Sequence, residues 1–347
     1  MSKAQIIAKA HTLELMQNMS VAGETFGEDM LEGMSFHNVD FSRVTLDKTS
    51  FKDCIFHKCS FAGAKAAAAD FSGIQMLHCD LSDALFIGCN FTQATILSSS
   101  LVKTAFEDCD CSKMELTDSN ATRARFRAQR LDDVNFLDVV MEEADLSAAV
   151  LSGALLHEID LRTVNLKQAT MRDVAFSGCD VSGQDFSDQV LSGAQFNEAK
   201  LHNVIFTRCS LVGSNFSDSE VKNSSFLEAD IRESLFVNVN MQQSSVARAC
   251  LDKTLWNGAV VVGSDFGSST LNMAVFQQAN VEDSSFVGTE LQYADFSYAR
   301  LHHCVFDDAL MMSTKFHRAL CDENLKNRPG AISRDNELFE AELWSAS

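Results

Sequence analysis

The sequence predicts a solenoid wound from one short repeat, and three observations carry that prediction. From Leu31 to Phe316 every fifth residue forms one series of 58 positions with no insertion or slip, and 55 of them are Phe, Leu, Met, Ile, Val or Trp. Only Ala66, Cys111 and Ala121 fall short, and 24 of the 26 Phe stand in this register. Two residues before these centres runs a second series of small side chains, including Ala64, Cys79, Ala94, Ser99, Ala144, Ala154, Val204, Ser214, Ala274, Ala294 and Thr314. A period of five is neither the 3.6 of an amphipathic helix nor the 2 of an alternating strand. It marks a fixed-period array.

The residue between the small and central positions is often Asp or Asn, as in Ala-Asp-Phe-Ser-Gly at 69–73 and Ala-Asp-Leu-Ser-Ala at 144–148. This succession of small residue, Asp/Asn, Leu/Phe, Ser/Thr and a variable residue resembles the pentapeptide-repeat family, over about four-fifths of the chain. The resemblance implies an all-β fold, a right-handed quadrilateral β-helix with four pentapeptides per coil. Central and small residues would point inward, and backbone groups would pair between coils at about 4.8 Å. Fifty-eight repeats would make about 14.5 coils, a rod of roughly 70 Å.

Taken in order, residues 1–20 read as a helix whose Ile6, Ile7, Ala10, Leu13 and Met16 form an apolar stripe. Such a helix would cap the open end of an array or dock a partner. Residues 21–30 lead in, with Val21 and Phe26 already in phase but Glu24 and Asp29 in small-residue slots. The array occupies 31–318. From Phe176 to Phe316 every tenth residue is Phe except Val246 and Trp256, which predicts two opposed aromatic columns. Gln129, Gln184 and Gln189 stand in small-residue slots, where a buried amide needs partners, so the coil should widen or bend there. Residues 319–347 leave the register: Asn-Arg-Pro-Gly at 327–330 forms a turn, and Ser333 could cap an acidic helix over 334–345.

Composition narrows the function. The net charge of −20 and pI near 4.7 argue against direct nucleic-acid binding, because phosphate contacts need clustered cations. No apolar run approaches the length of a membrane span, and the N-terminus lacks the apolar core of a signal peptide. A cytoplasmic protein is expected, or one secreted without a signal peptide if it is an effector. Eight of the 11 cysteines occupy the small-residue series, which suits buried free thiols. Cys59 with Cys79, and Cys89 with Cys109, would lie one coil apart and stay reduced, since parallel Cβ vectors are poorly set for a disulfide. No phosphate loop, nucleophile motif or metal-ligand pair is present. His37 and His57 stack on one face without an evident third ligand, and His302 and His303 are adjacent. No enzyme activity, cofactor or metal is expected.

Three surfaces remain as candidate protein-binding sites. Leu235, Leu255 and Val275 should stack outward one coil apart, with Val237 beside them and Val260 and Val262 round the corner. Arg123, Arg125, Arg127 and Arg130 form a basic cluster suited to an acidic partner. Leu338, Phe339, Leu343 and Trp344 make the C-terminal segment either a lid or an exposed acidic-aromatic peptide. The preferred reading is a non-enzymatic protein-interaction scaffold of bacterial type, as a secretion-associated effector or adaptor. Its partner is a protein of unknown identity, and a homodimer through the C-terminal helix or the Leu235/Leu255/Val275 face is a further option. The alternative implied by the resemblance is a DNA-mimicking gyrase- or topoisomerase-binding protein of the quinolone-resistance type. Against it, the net negative charge spreads almost evenly over the four expected sides.

Overall fold

Backbone pairing joins residues twenty positions apart. The computed structural model describes residues 3–10 and 15–345. The chain forms two compact units, Met1–Ala175 and Phe176–Ser347, each a parallel β-solenoid whose coil takes four pentapeptides. In the first unit an eight-stranded sheet starts at Met16–Ser20 and ends at Leu155–His157, while a five-stranded sheet runs from Thr25–Phe26 to Ala105–Glu107. In the second, a six-stranded sheet runs from Lys200–His202 to Arg300–His302. The remaining sides pair through single bridges with the same offset, such as Leu235↔Leu255 and Ser225↔Ser245.

Each repeat position has a physical reason. Centres are buried, and the rings among them stack coil upon coil. Phe196, Phe216 and Phe236 follow one another at 5.1 and 4.8 Å, nearly parallel. Phe186, Phe206 and Phe226 do the same on the opposite side at 5.4 and 4.9 Å. The two columns meet edge to face, as between Phe206 and Phe216 at 6.0 Å and 84°, an arrangement the ring quadrupole favours. The opposed aromatic columns expected from the tenfold spacing are therefore present. Asp and Asn before the centre accept from the amide two residues on, as Asp70 does from Ser72 N at 2.9 Å and Asn215 from Ser217 N at 3.0 Å. This closes an Asx turn.

The fifth, "variable" position is the most constrained backbone site. Among the described residues, every non-glycine residue with positive φ stands two places after a centre, for example Lys58 at 55°, Asn203 at 57° and Tyr298 at 62°. Branching at Cβ is disfavoured there. Accordingly, from residue 18 to residue 318 this slot never holds Val or Ile, and holds Thr only at 163. Thr163 is outside the positive-φ set, and its hydroxyl accepts from Glu143 N at 3.0 Å.

The small-residue slot is partly polar. In the second unit Val204 N donates to Ser224 Oγ, Ser224 N to Ser244 Oγ, and Ser264 N to Ser284 Oγ, at 3.0, 3.1 and 3.1 Å. These hydroxyls satisfy inward amides that would otherwise be buried unpaired. Gln129 works the same way: its Oε1 accepts from Cys109 N and its Nε2 donates to Arg127 O at 2.7 Å. Its amide is thus buried and satisfied. Gln184 and Gln189 differ: both are half-buried, and the Gln189 Oε1 is buried without a hydrogen-bond partner among the described residues. The cysteines are free thiols, and Cys59, Cys79, Cys89 and Cys109 are buried. Their sulfurs donate to backbone carbonyls, as from Cys79 to Phe56 O at 3.5 Å.

The ends correct two expectations. The N-terminal helix does not extend over 1–20. Helix α1 is Lys3–Lys9, and Met16–Ser20 is a strand paired with Ser35–Asp40; Leu13 lies outside the described residues. The reason is that Met16, Val21 and Phe26 already occupy centre positions and are buried, so the register begins before Leu31. α1 buries Ile6, and Lys3 pairs with Asp29 at 3.0 Å while lying over the Phe26 ring. Glu24 is exposed. At the other end, Ala331–Ile332 adds one further parallel rung to Thr314–Lys315, reached through the short helix α2, Glu323–Lys326, and Gly330 at φ +86°.

Two stability outcomes follow. Phe206→Ala should cost about 3–5 kcal/mol in chemical denaturation, whereas Ser217→Asp, on the outer wall, should leave the midpoint nearly unchanged. At exposed Asn203, Val should cost about 1–2 kcal/mol, the strain of a β-branched residue at positive φ, and Gly should cost little. Equal melting of the Val and Gly variants would contradict the turn assignment.

Candidate protein-interaction faces

Leu235, Leu255 and Val275 are bridged to one another in sequence, one per coil. All three and Val237 are half-buried. They stand on a stiff base, because the next residues inward are Phe236, Trp256 and Phe276, stacked at 4.1 and 5.3 Å. Trp256 is itself pinned, its Nε1 donating to Thr254 Oγ1 at 2.9 Å. Round the corner, Val260–Val262 pairs with Asn240–Gln242 and Asn280–Glu282, leaving Val260 exposed and Val262 half-buried. The structure thus brings the six predicted apolar residues onto two adjoining sides. It also shows a feature the spacing argument missed: residues 234–247, 254–264 and 266–281 carry no Asp, Glu, Lys or Arg. Coiling stacks these three runs into one uncharged surface.

The C-terminal helix lies on the continuation of this side. Helix α3 is Asn336–Ser345, two residues shorter at its start than the sequence suggests, and Ser333 does not cap it. Asp335 does, its Oδ1 accepting from Glu337 N at 3.0 Å and Leu338 N at 3.3 Å. A carboxylate is the stronger acceptor at a helix N-terminus, and Lys315 holds its other oxygen at 2.6 Å. α3 buries none of its residues fully. Leu338 and Phe339 are half-buried, with the Arg334 guanidinium 3.6 Å over the Phe339 ring. Leu343 and Trp344 are 53% and 83% exposed.

Attachment is therefore largely polar and converges on Glu342. Tyr298 Oη donates to it at 2.6 Å, and Arg318 grips it through Nε and Nη2 at 2.9 and 2.6 Å. Buried His317 joins the two anchor points. Asp335 N donates to its Nδ1 at 3.1 Å, so Nε2 carries the proton that faces Glu342 at 3.2 Å. Arg318 first, then Tyr298 and His317, hold the Glu342 carboxyl down at about 2, against an ordinary 4.5.

The four arginines do not act together. Arg123 pairs with Glu143 at 2.6 Å, and Arg130 lies 3.3 Å from Asp132 and 3.8 Å from Asp110. Arg125 and Arg127 have no carboxylate partner among the described residues. Arg123 and Arg125 border an open depression of about 520 Å³, together with Lys65 and Lys103. Arg125 and Arg127 border a second of about 350 Å³. The two lysines were not legible as part of the cluster because they precede it by one and three coils.

Among the histidines, His37 and His57 approach Nδ1 to Nδ1 at 2.8 Å, and the His78 ring lies 5.8 Å from that of His57. Desolvation, then His37, Lys58 and His78, hold His57 below its ordinary value. His303 faces Asp283 at 3.1 Å. Among the described residues no group of three or more His, Cys, Asp or Glu could hold a metal ion.

Each unit is a parallel solenoid with a filled interior and side chains displayed on a fixed lattice. The chain belongs to the pentapeptide repeat family. A model of pentapeptide repeats (8 copies) matches residues 35–73, 74–120 and 271–308, and one of a pentapeptide repeat region matches 129–204; together they cover more than half of the chain. Among solved structures it is similar to full-length QnrB1, a plasmid-mediated fluoroquinolone resistance protein, at 20% identity, covering 59% of this chain and 87% of that one with a TM-score of 0.23. It is also similar to a pentapeptide repeat protein from the Arabidopsis thaliana thylakoid lumen, at 24% identity, 29% and 67% coverage and a TM-score of 0.23. HetL from the cyanobacterium Nostoc sp. strain PCC 7120, involved in heterocyst differentiation regulation, is 18% identical over 90% of this chain and 96% of that one, with a TM-score of 0.17. No curated protein matches. No helix of the described residues is long and apolar enough to cross a membrane.

The α3 anchor should respond to acid. The Glu342 carboxyl is lowered on folding, so its contribution is complete above 4.5 and is lost as pH falls toward about 2. Amide exchange in α3 should accelerate, relative to the coils, across that window. Glu342→Gln should produce the same release at neutral pH. An α3 equally protected in the variant would place its attachment in Leu338 and Phe339 instead.

Proposed function

We propose that this chain is a non-enzymatic protein-interaction scaffold, and that the second unit recognises a protein partner through the uncharged surface around Leu235, Leu255 and Val275. One observation carries the reading. In a chain where 22% of residues are charged, the side of Leu235, Leu255 and Val275 carries no charge over three successive coils, and the adjoining side of Val260 carries none over two of them, around a stacked apolar column. Interface cores are depleted of charge and enriched in apolar and aromatic residues, and isolated patches of this kind mark contact sites. The column stands on stacked rings, so little side-chain freedom is lost on binding. At the C-terminal end the same side carries Tyr298 and α3, whose exposed Leu343 and Trp344 would extend the contact. A cytoplasmic effector or adaptor role is an instance of this reading, and a second copy of the chain is one partner the surface could take.

A surface that imitates duplex DNA is the weaker reading. Many acids of the outer wall are neutralised one coil away: Lys48 pairs with Glu28, Arg208 with Asp188, Arg248 with Glu228 and Lys253 with Glu233. DNA presents about one unpaired charge per 1.7 Å of axis, which such ladders do not reproduce.

The test is affinity capture from host lysate with three baits: wild type, Leu255→Glu, and a truncation after Ser333 that keeps the Ala331–Ile332 rung. A specific protein should be held by wild type and reduced at least about tenfold by Leu255→Glu. Capture of gyrase subunits equally by all three baits, with inhibition of supercoiling, would replace this reading with the mimic. A partner lost only with the truncation would move the site to α3. Light scattering of wild type and Leu255→Glu decides whether the partner is a second copy.

A further inference from the structure

We propose that the first unit carries a separate binding site for a short acidic peptide, in the depression between Lys65 and Arg125. Lys65, Leu85, Ala105 and Arg125 are successive members of one outward column, paired in register coil by coil. The column dips in the middle, because Ala105 is small and almost completely buried and Leu85 is half-buried. Its two ends are cations. Lys103 and Arg123 form the flank, and the hollow between has a volume of about 520 Å³. Lys65, Lys103 and Arg125 have no carboxylate partner among the described residues, in contrast to Arg123, which Glu143 neutralises.

The arrangement selects its ligand by spacing. Three coil steps of about 4.8 Å put Lys65 and Arg125 roughly 14 Å apart. That is too far for one phosphate or carboxylate to touch both. An extended peptide covers the distance in about four residues at 3.3 Å each, which places one carboxylate at each end and an apolar side chain over Leu85 and Ala105. The fitting sequence is acidic residue, spacer, apolar residue, spacer, acidic residue. Asp83 and Glu107 also line the depression. They leave room for a peptide with two discrete charges but repel a chain charged at every unit, so a nucleic acid is disfavoured. All the cations are on the open surface, so binding should be salt-dependent.

The experiment is fluorescence anisotropy with labelled Gly-Glu-Ala-Leu-Ala-Glu-Gly on the full-length protein. Binding should be measurable at low ionic strength and weaken several-fold on raising salt from about 20 to 200 mM. The double variant Lys103→Glu/Arg125→Glu should lose at least about tenfold in affinity, and the Gln-for-Glu peptide should bind no better than that variant. A matched double variant on other columns, Lys113→Glu/Arg172→Glu, makes the same change in net charge and should bind like wild type. Because the substituted side chains point outward, melting curves of both variants should overlay that of the wild type. No binding by the wild type, equal loss in both double variants, undiminished binding of the Gln peptide, or tighter binding of an oligothymidylate each overturns the proposal. Peptide binding unaffected by Leu255→Glu separates this site from the uncharged surface of the second unit.

Discussion

Everything in this chain depends on the pairing of backbone groups between residues twenty apart. A parallel coil presents its N–H and C=O groups to the coils before and after it, and each must be met at the same height. Once Phe206 N binds Ser225 O, and Ser225 N binds Val204 O, at 2.7 and 2.9 Å, the length of a coil cannot change without breaking a row of such bonds. The array accordingly keeps its period without an insertion over 58 repeats. It also explains why the turn position, varied in chemistry, is constrained in backbone: nearly every side ends in a left-handed residue that brings the chain round the corner. Lys, Asp, Asn, Tyr and Met all appear there, and β-branched residues are almost wholly excluded.

The same constraint organises the outside. Any two residues twenty apart become neighbours, so columns rather than sequence segments are the units of surface chemistry. Charges one coil apart pair, as Arg208 does with Asp188, and on an open surface solvent and salt screen each such pair. Such ladders matter less for stability than for what they leave over. Where a column holds no charge, an apolar surface remains; where cations lack a partner, a basic hollow remains. The two proposed sites are these two kinds of remainder, one in each unit.

The ends obey different rules because there the next coil is missing. At the N-terminus Ile6 and Lys3 of α1 cover the Phe26 coil. At the C-terminus Ala331–Ile332 completes one side, while Arg328 reaches the Phe306 carbonyl and Asp307. α3 is then tied by charge rather than buried area. A helix held through one carboxylate hub and one cap depends on the charge state of those groups more than one held by an apolar face does.

Register, the inward direction of each centre, the paired aromatic columns and the apolar trio Leu235, Leu255 and Val275 were all determined by the sequence alone, because a strict period converts distance along the chain into position in space. The ends were not. Met16–Ser20 reads as a helix until its pairing with Ser35–Asp40 is seen, and Ser333 looks like a cap until Asp335 is found bound to Lys315. Nor did composition reveal which arginines are free, since Arg123 is satisfied by Glu143, an acid that only coiling brings near, while Lys65 and Lys103 join Arg125 from other coils. Periodicity states which residues share a column. Only the tertiary structure decides which of them meet a partner of opposite charge, and that choice determines where this surface is left with something to bind.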